Sequence, residues 1–400
     1  MTYLEAVDWL YAAVPNFQRD GGNKDYKIGL EGPLQLWEEL GYPGSQIPTV
    51  HVAGTNGKGS SSHMIAAGLI SCGFRVGLFS SPHLFSFRER AKIGTDMVPE
   101  SFVASWIQAR KSDFEKGGYS FFELTLMLSL SWFAQEGVDY IVLETGMGGR
   151  LDATNICDPE VSLITNIGLD HKEWLGDTRA LVAAEKAGII KAGVPVVVVE
   201  RDEETSEVFT QTAAQKGAPF FWAAPSSYST DLQGEYQSEN VRGAASVLSL
   251  LLPEYESRWA QGLQKVQELT GLFGRWSEIQ RSPRVICDTG HNPEAFKRLV
   301  AQAQRECQGK LHWVLGAAAD KDSSAIIRLL PRESHFYWTS CSSPRCKTAE
   351  TLGAEAQTLG RIGQEFSDVS AALNAAKAAA EKNDLIFVGG STFVVADLQL

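Results

Sequence analysis

Between Pro48 and His63 the chain reads Pro-Thr-Val-His-Val-Ala-Gly-Thr-Asn-Gly-Lys-Gly-Ser-Ser-Ser-His. An apolar, β-prone run from Val50 to Ala53 gives way to a glycine-rich turn, Gly54 to Gly59. An alanine-rich helical pattern follows, from Ser60 to about Cys72. Strand, glycine loop and helix in that order make a cradle for a phosphate chain. Glycines let successive backbone N–H groups turn toward one anion, and the helix start adds roughly half a positive charge. Lys58 supplies a mobile full charge for the outer phosphates. The match to the usual phosphate loop is incomplete. Val52 stands where the first glycine is usual, and Gly59 stands where a magnesium-binding hydroxyl is usual. Ser60 comes one residue late, so a metal there needs a hydroxyl from elsewhere. The plain alternative is an ordinary glycine-rich turn; strand, Gly-Lys pair and helix in register speak against it.

Other residues with chemical potential follow further apolar runs. Arg75 to Phe79 ends at Ser80 and Ser81, with Pro82 holding Ser81 extended. Asp139 to Leu143 ends at Glu144. A carboxylate there has no basic sequence neighbour and is costly unless it meets a cation. Magnesium on a nucleotide is the natural one; a solvated strand-end glutamate is the plain alternative. Val161 to Ile164 ends at Thr165-Asn166, with Asp170-His171 close behind. His171 could ligate a second metal or cap a loop. Ser81 could provide the hydroxyl that Gly59 lacks. Lys186 stands among Ala183, Ala184, Ala187 and Gly188, a pattern that reads as a snorkelling surface lysine. After Val285-Ile286-Cys287 comes Asp288-Thr-Gly-His-Asn-Pro, whose carboxylate and His291 could bind a ribose or orient a base. Ligands of a parallel sheet sit beyond the carboxyl ends of its strands, so these positions are expected along shared edges.

The elements that must hold them alternate. Leu4 to Val14 has helical spacing, Gly21-Gly22-Asn23 breaks it, and a second helical pattern runs from the Tyr26–Leu30 stretch to near Gly41. The Lys27–Gly29 loop could touch a substrate. Phe102–Lys111, Phe121–Phe133 and 177–190 read as helices, and Val194–Val199 as another buried strand. Tyr228–Glu239 reads as loop and Asn240–Leu252 as helix. Strands buried on both faces between helices predict an α/β fold with a mainly parallel sheet. The alternation restarts beyond Pro283, which predicts a smaller Rossmann-like α/β domain. The expected division is 1–272, a junction at 273–283, and 284–400, in keeping with a 400-residue chain that exceeds one comfortable core.

Composition narrows the partners. Hydrophobic content of 44% and charged content of 21% are ordinary for a globular protein. A net charge of −12 argues against broad nucleic-acid binding and leaves small anionic substrates open. No apolar run reaches the length of about 18 residues that a membrane helix needs. The start, Met-Thr-Tyr-Leu-Glu-Ala, has no basic region or apolar signal core, so a cytoplasmic protein is expected. A monomer is expected as well. The six cysteines, Cys72, Cys157, Cys287, Cys307, Cys341 and Cys346, form no Cys-x-x-Cys pair and read as reduced thiols.

Several stretches together resemble the folylpolyglutamate synthase / dihydrofolate synthase family, a branch of the Mur-type ATP-dependent amide ligases. They are His51-Val-Ala-Gly-Thr-Asn-Gly-Lys-Gly-Ser60, Ser81-Pro-His-Leu84, Phe122-Glu123, Glu144-Thr-Gly-Met-Gly-Gly-Arg-Leu-Asp-Ala-Thr-Asn155, Glu185-Lys-Ala-Gly-Ile189 and Asp288-Thr-Gly-His-Asn-Pro293. Asp288-Thr-Gly departs from the more usual Asp-Gly-Ala but keeps small residues before the histidine. The resemblance implies a Mur-ligase central-domain-like fold followed by a domain that binds glutamate and closes over the site. It implies ATP on Asn56, Gly57, Lys58, Gly59 and Ser60, with Asn240, Arg275, Asp288 and His291 completing the nucleotide site. Magnesium falls to Ser81, Glu144 and His171, and Lys186 matches a lysine that is carbamylated in the family. Phe121, Phe122, Glu123, Leu151, Asp152 and Ala153 match the pterin pocket. Lys58, Glu144, His171 and Lys186 then carry an ATP-driven addition of L-glutamate to dihydropteroate or folate. The rival expectations are a Mur-type ligase acting on a cell-wall precursor and a nucleotide-dependent binding switch without ligase activity.

Overall fold

The computed structural model describes residues 1–13 and 29–398. Val14, the Gly21-Gly22-Asn23 break and Lys27 lie outside the described residues. The chain divides into two units, one of Met1–Asp231 with Gln237–Leu272, the other of Leu232–Tyr236 with Phe273–Leu400.

The sheet of the first unit contains β1 (Thr49–Ala53), β2 (Val76–Phe79), β3 (Ala91–Ile93), β4 (Asp96–Met97), β5 (Tyr140–Glu144), β6 (Val161–Ile164), β7 (Val196–Val198) and β8 (Phe220–Trp222). Their order is β4-β3-β2-β5-β1-β6-β7-β8. β3 pairs antiparallel with both β2 and β4 at one edge, and the remaining pairs are parallel. β1 lies in the middle with all of its residues buried, which is why its sequence is a near-continuous apolar run. Register aligns the strand exits. Val52 pairs with Glu144, Ala53 with Ile164, and Phe79 with Leu143. The loops after β1, β2, β5 and β6 therefore leave the same edge.

Two helices position the site. Lys58–Ser71 starts directly from the glycine loop. Phe121–Glu136 opens with a capping box, in which Ser120 N–H donates to Glu123 Oε2 at 2.5 Å and Glu123 N–H donates to Ser120 Oγ at 3.3 Å. It stops at Gly137, whose φ of 61° suits the left-handed position after a helix.

The second unit has β9 (Ser277–Arg281), β10 (Arg284–Asp288), β11 (Leu311–Leu315), β12 (His335–Thr339), β13 (Gln364–Phe366) and β14 (Leu385–Gly389), ordered β13-β12-β11-β14-β10-β9. All pairs are parallel except β9 with β10. Its core is aromatic, with Trp276, Trp313, Trp338, Phe296 and Phe387 buried. Segment 273–283, expected as a junction, carries β9. Its polar Ser-Glu-Ile-Gln-Arg sequence suits a strand at a half-exposed edge. Segment 228–239, expected as loop, splits: Leu232–Tyr236 joins the second unit, and Gln237 begins the helix Gln237–Leu251.

The expectation of reduced thiols is corrected for one pair. Cys341 and Cys346 are disulfide-bonded with their Cα atoms 5.9 Å apart, a separation the bond accommodates. Cys72, Cys157, Cys287 and Cys307 are free. Among the described residues no helix is long and apolar enough to cross a membrane.

Candidate active site

The glycine loop is braced by the exit of β6. Asn56 N–H donates to Asn166 Oδ1 at 2.7 Å, Thr165 Oγ1 donates to the Asn56 carbonyl at 2.7 Å, and Thr55 Oγ1 donates to the Gly168 carbonyl at 3.1 Å. Gly57 precedes the helix with φ 84°, and a Cβ there would come 2.2 Å from Asn240 Oδ1. Only glycine lets Asn240 approach this closely. Asn240 in turn donates to Gln237 at 2.7 Å, and Gln237 donates to Ser60 Oγ at 3.2 Å. The Ser60 hydroxyl is thus buried and engaged within the fold. The helix that follows begins with N–H groups that have no intrahelical acceptor. That is the geometry of an anion seat.

Two lysines converge on one atom of this loop. Lys58 Nζ donates to the Gly54 carbonyl at 3.0 Å and to the Thr55 carbonyl at 3.2 Å. Lys186 Nζ donates to the same Gly54 carbonyl at 2.8 Å from the helix Arg179–Ala187. Lys186 is 3% exposed, which corrects the surface-lysine pattern: its small neighbours bury it. Burial, and then the charge of Lys58, push its pKa down to about 7. A good share of its amine is therefore neutral at physiological pH, and a neutral amine is a nucleophile.

Glu144 ends β5 and is buried. Ser81 N–H donates to its Oε2 at 3.2 Å, which joins two of the proposed metal positions. The cation that its burial demands includes Arg90. That guanidinium is itself fully buried and lies within electrostatic reach of Glu144, while burial lowers its pKa to about 10. Arg90 Nε donates to His83 Nδ1 at 2.8 Å, and Tyr11 OH is 3.1 Å from His83 Nε2. His171 arrives from the loop after β6 with φ 50°, at the start of the short helix Lys172–Leu175. Among the described residues no three His, Cys, Asp or Glu side chains form a ready metal cluster. A metal there would draw on the Ser81 hydroxyl and on oxygens of its phosphate ligand as well as on Glu144. Hard oxygen donors of that kind suit magnesium.

Beside this edge is a cavity of about 160 Å³, lined by Phe122, Glu123, Leu151, Asp152, Ala153, Trp174 and Glu185 among others. Five of the six residues expected at a pterin pocket are on its wall. Phe121 is in the core, its ring stacked on Tyr11 at 5.1 Å with Arg90 5.0 Å above it. Asp152 is buried and accepts from Met147 N–H at 2.8 Å, Thr154 N–H at 3.0 Å and Thr154 Oγ1 at 2.6 Å. Burial raises its pKa against the pull of these donors.

The pocket wall and the Lys186 helix interlock. Arg150 N–H donates to the Glu185 carbonyl at 2.7 Å, and the two side chains pair at 2.8 Å. Asn155 Nδ2 donates to the Arg150 and Gly188 carbonyls at 3.0 and 3.1 Å. A Cβ on Gly188 would come 2.3 Å from Arg150 Cα, and one on Gly149 would come 2.9 Å from the Glu185 carbonyl. These close approaches explain why Gly-Gly-Arg and Glu-Lys-Ala-Gly occur as motifs.

In the second unit Asp288 is buried at the exit of β10. It accepts from Tyr236 OH at 2.5 Å, Trp276 N–H at 2.7 Å and Gly290 N–H at 2.8 Å. Arg275 bonds to the Thr289 hydroxyl and to the Gly274 carbonyl. His291 Nδ1 is 3.1 Å from the Thr289 carbonyl. Arg275, Asp288 and His291 thus share one neighbourhood within this unit. Sequence reasoning missed Tyr236, which lies in a polar stretch. It also missed Arg90, which lies in a charged stretch, and took His51 only as part of a motif, although a histidine inside an apolar run is itself a sign that a partner is required.

Comparison with known proteins then decides the family. Residues 52–253 match the Mur ligase middle domain, and residues 274–392 match the Mur ligase glutamate ligase domain. The chain is 32% identical to the dihydrofolate synthase/folylpolyglutamate synthase of Escherichia coli (strain K12) over 94% of this chain and 91% of that protein. The chain belongs to the dihydrofolate synthase/folylpolyglutamate synthase family. It is an ATP-dependent amide ligase by that membership. The Bacillus subtilis dihydrofolate synthase/folylpolyglutamate synthase is 29% identical over 99% of this chain and 98% of that protein. A probable bifunctional folylpolyglutamate synthase/dihydropteroate synthase of Haloferax volcanii is 32% identical over 99% of this chain, and the chain spans 50% of that protein's length. Among solved structures, E. coli FolC in complex with DHPP and ADP superposes with a TM-score of 0.87 at 29% identity, over 99% of this chain and 96% of that one. A bifunctional folylpolyglutamate synthase/dihydrofolate synthase with Mn, AMPPNP and L-glutamate bound gives 0.85 at 30% identity, over 99% and 97%.

Proposed function

We propose that the protein joins the amine of L-glutamate to a carboxylate of dihydropteroate, of a folate that already bears glutamate, or of both, using ATP. The supporting observation is one of continuity. The helix that carries Lys186 touches the phosphate loop at the Gly54 carbonyl and the pocket wall at Arg150. A pterin in the cavity and a triphosphate on the loop would be neighbours. Names and bound ligands of the relatives point the same way.

The chemistry follows from the groups present. A carboxylate is a poor electrophile. One of its oxygens attacks the γ-phosphorus, the bond to the bridging oxygen of ADP breaks, and an acyl phosphate results. The glutamate amine adds its lone pair to the acyl carbon, phosphate leaves with the C–O electron pair, and the extra proton on nitrogen is lost to solvent. ATP lies on Asn56 to Ser60, where the backbone N–H groups of Gly57 to Ser60 orient the phosphates, and Lys58 balances charge as it moves. Magnesium, which Ser81, Glu144 and His171 would hold, supplies charge neutralisation on the phosphates. Phe122, Glu123, Leu151, Asp152 and Ala153 hold the pterin. Asn240 is assigned to the nucleotide by the family resemblance, as are Arg275, Asp288 and His291, and residues 274–392, which match a glutamate ligase domain, are assigned the glutamate.

Lys186 belongs to the same proposal as a carbamate. Its neutral amine adds to the carbon of CO₂, a C=O electron pair moves to oxygen, and a proton leaves the nitrogen. The neutral amine becomes an anion, and the repulsion that its protonated form has with Lys58 is replaced by attraction. The proposal has the enzyme work in the cytoplasm as a monomer. The deciding experiment is phosphate release by pure protein. Release should need dihydropteroate or a folate, glutamate and ATP together. Release only with a cell-wall precursor, or none with any carboxylate and amine pair, would replace the proposal with one of its rivals.

A further inference from the structure

His51 sits in the middle of β1, opposite Leu143 of β5 and Ser162 of β6, with no solvent exposure. No step of the ligation uses it, yet a histidine enclosed by apolar strands must be satisfied. Its Nε2 lies 2.8 Å from Thr154 Oγ1. Thr154 is also fully buried, and its hydroxyl lies 2.6 Å from Asp152 Oδ1. A hydroxyl has one hydrogen to give. Thr154 spends it on the Asp152 carboxylate, so its oxygen accepts from His51 Nε2–H. That fixes the tautomer, and Nδ1 is left as a bare acceptor, which agrees with its having no partner in the structure. Burial, with the Lys191 charge, holds the His51 pKa down at about 3, so the ring is neutral.

The hydrogens therefore run one way: His51 to Thr154, Thr154 to Asp152. Met147 N–H, Thr154 N–H and Gly146 N–H also end on the same carboxylate. Asp152 lines the cavity, and a carboxylate held by donors from the protein side is acceptor-only toward a ligand, whose donor it can take as a further, shared one. The group it can take from a ligand is an N–H donor. Another carboxylate would be repelled.

We infer that His51 and Thr154 are positioning residues for substrate binding, a buried relay that orients Asp152 toward the amino and amide edge of the pterin. This rests on the pterin assignment of the cavity made above. The relay touches neither ATP nor the reacting carboxylate, so its effect should fall on one substrate alone.

Steady-state kinetics of the purified Thr154→Val, Thr154→Ser, His51→Leu and Asp152→Asn enzymes test it, varying dihydropteroate and ATP separately. Thr154→Val should raise KM for dihydropteroate about tenfold and leave KM for ATP within about twofold. Thr154→Ser keeps the hydroxyl and should stay within about twofold of wild type on both. His51→Leu should raise KM for dihydropteroate about threefold. A Thr154→Val enzyme with wild-type KM for dihydropteroate overturns the relay, as does one in which both KM values rise together. If circular dichroism shows that Thr154→Val does not fold, His51→Leu decides by the same two outcomes. Asp152→Asn separates the levels. Unchanged KM for dihydropteroate in that variant overturns the pterin assignment itself, whereas a raised KM there with normal Thr154→Val overturns the relay only.

Discussion

Each unit of the molecule buries an aspartate at a strand-exit edge, and the two are used differently. Asp152 draws its donors from Met147 and Thr154 in its own loop and lines a cavity. Asp288 draws them from Tyr236, Trp276 and Gly290, which come from separate stretches of chain. Tyr236 closes the short excursion Leu232–Tyr236, and Trp276 follows the re-entry at Phe273. One carboxylate braces a turn at the wall of a cavity. The other ties incoming segments to β10. In the proposed reading the first recognises a ligand, whereas the second, besides its proposed part at the nucleotide, fastens separate stretches of its own unit, and the origin of the donors marks that difference.

If the first unit's edge is built for chemistry, Lys58→Ala should lower kcat about a thousandfold with an unchanged melting curve. A collapsed melting transition would make that edge structural instead. Lys186→Ala should cost about a hundredfold in kcat, and added short carboxylic acids should restore part of it; a fully active variant removes the carbamate. In the second unit, Asp288→Ala should cost about 2–3 kcal/mol in urea unfolding, because buried donors lose their acceptor. Asp152→Ala should cost less stability and more substrate affinity, and the reverse ranking breaks the contrast. Tyr236→Phe should cost about 1 kcal/mol, and no measurable loss would show that the excursion is held by packing.

The smallest expected effect is in pH. Burial raises both carboxyls above the ordinary 3.8. Between 3.8 and the raised native value the folded protein binds more protons than the unfolded chain, so their contribution to stability falls as pH rises through that window. The stability gap between wild type and Asp288→Asn should therefore narrow as pH rises across it. A gap independent of pH counts against the raised value. Lys186 acts in the opposite direction. Its native pKa of about 7 lies below the ordinary 10.5, so without carbamylation its contribution to stability improves as pH rises from about 7 toward 10.5.

The sequence is most informative where strands are buried on both faces. β1, β2, β5, β6, β10, β11, β12 and β14 are legible as apolar runs, and so are the loops at their exits. Short strands at or next to a sheet edge are not. Ala91–Ile93, Phe220–Trp222 and Gln364–Phe366 have too few residues, or too polar a pattern, to stand out. The polar helix Glu203–Lys216 is hidden for the same reason. Of the site, the phosphate loop, Glu144 and the Leu151–Ala153 wall can be read from motif and position. The shared grip of Lys58 and Lys186 on Gly54 cannot, because those partners are brought together only by the packing of separate elements. Phe121 shows the opposite limit: it adjoins the wall residues in sequence, but the helix turns its ring into the core.

The seam between Gly149-Arg150 and the Glu185–Gly188 turn has a consequence for redesign. A bulkier side chain on either half cannot be absorbed locally, since backbone meets backbone there. Attempts to widen the enzyme's substrate range through its pocket wall will therefore disturb the lysine behind it. Breadth and speed would be traded against each other unless both halves were varied in the same library.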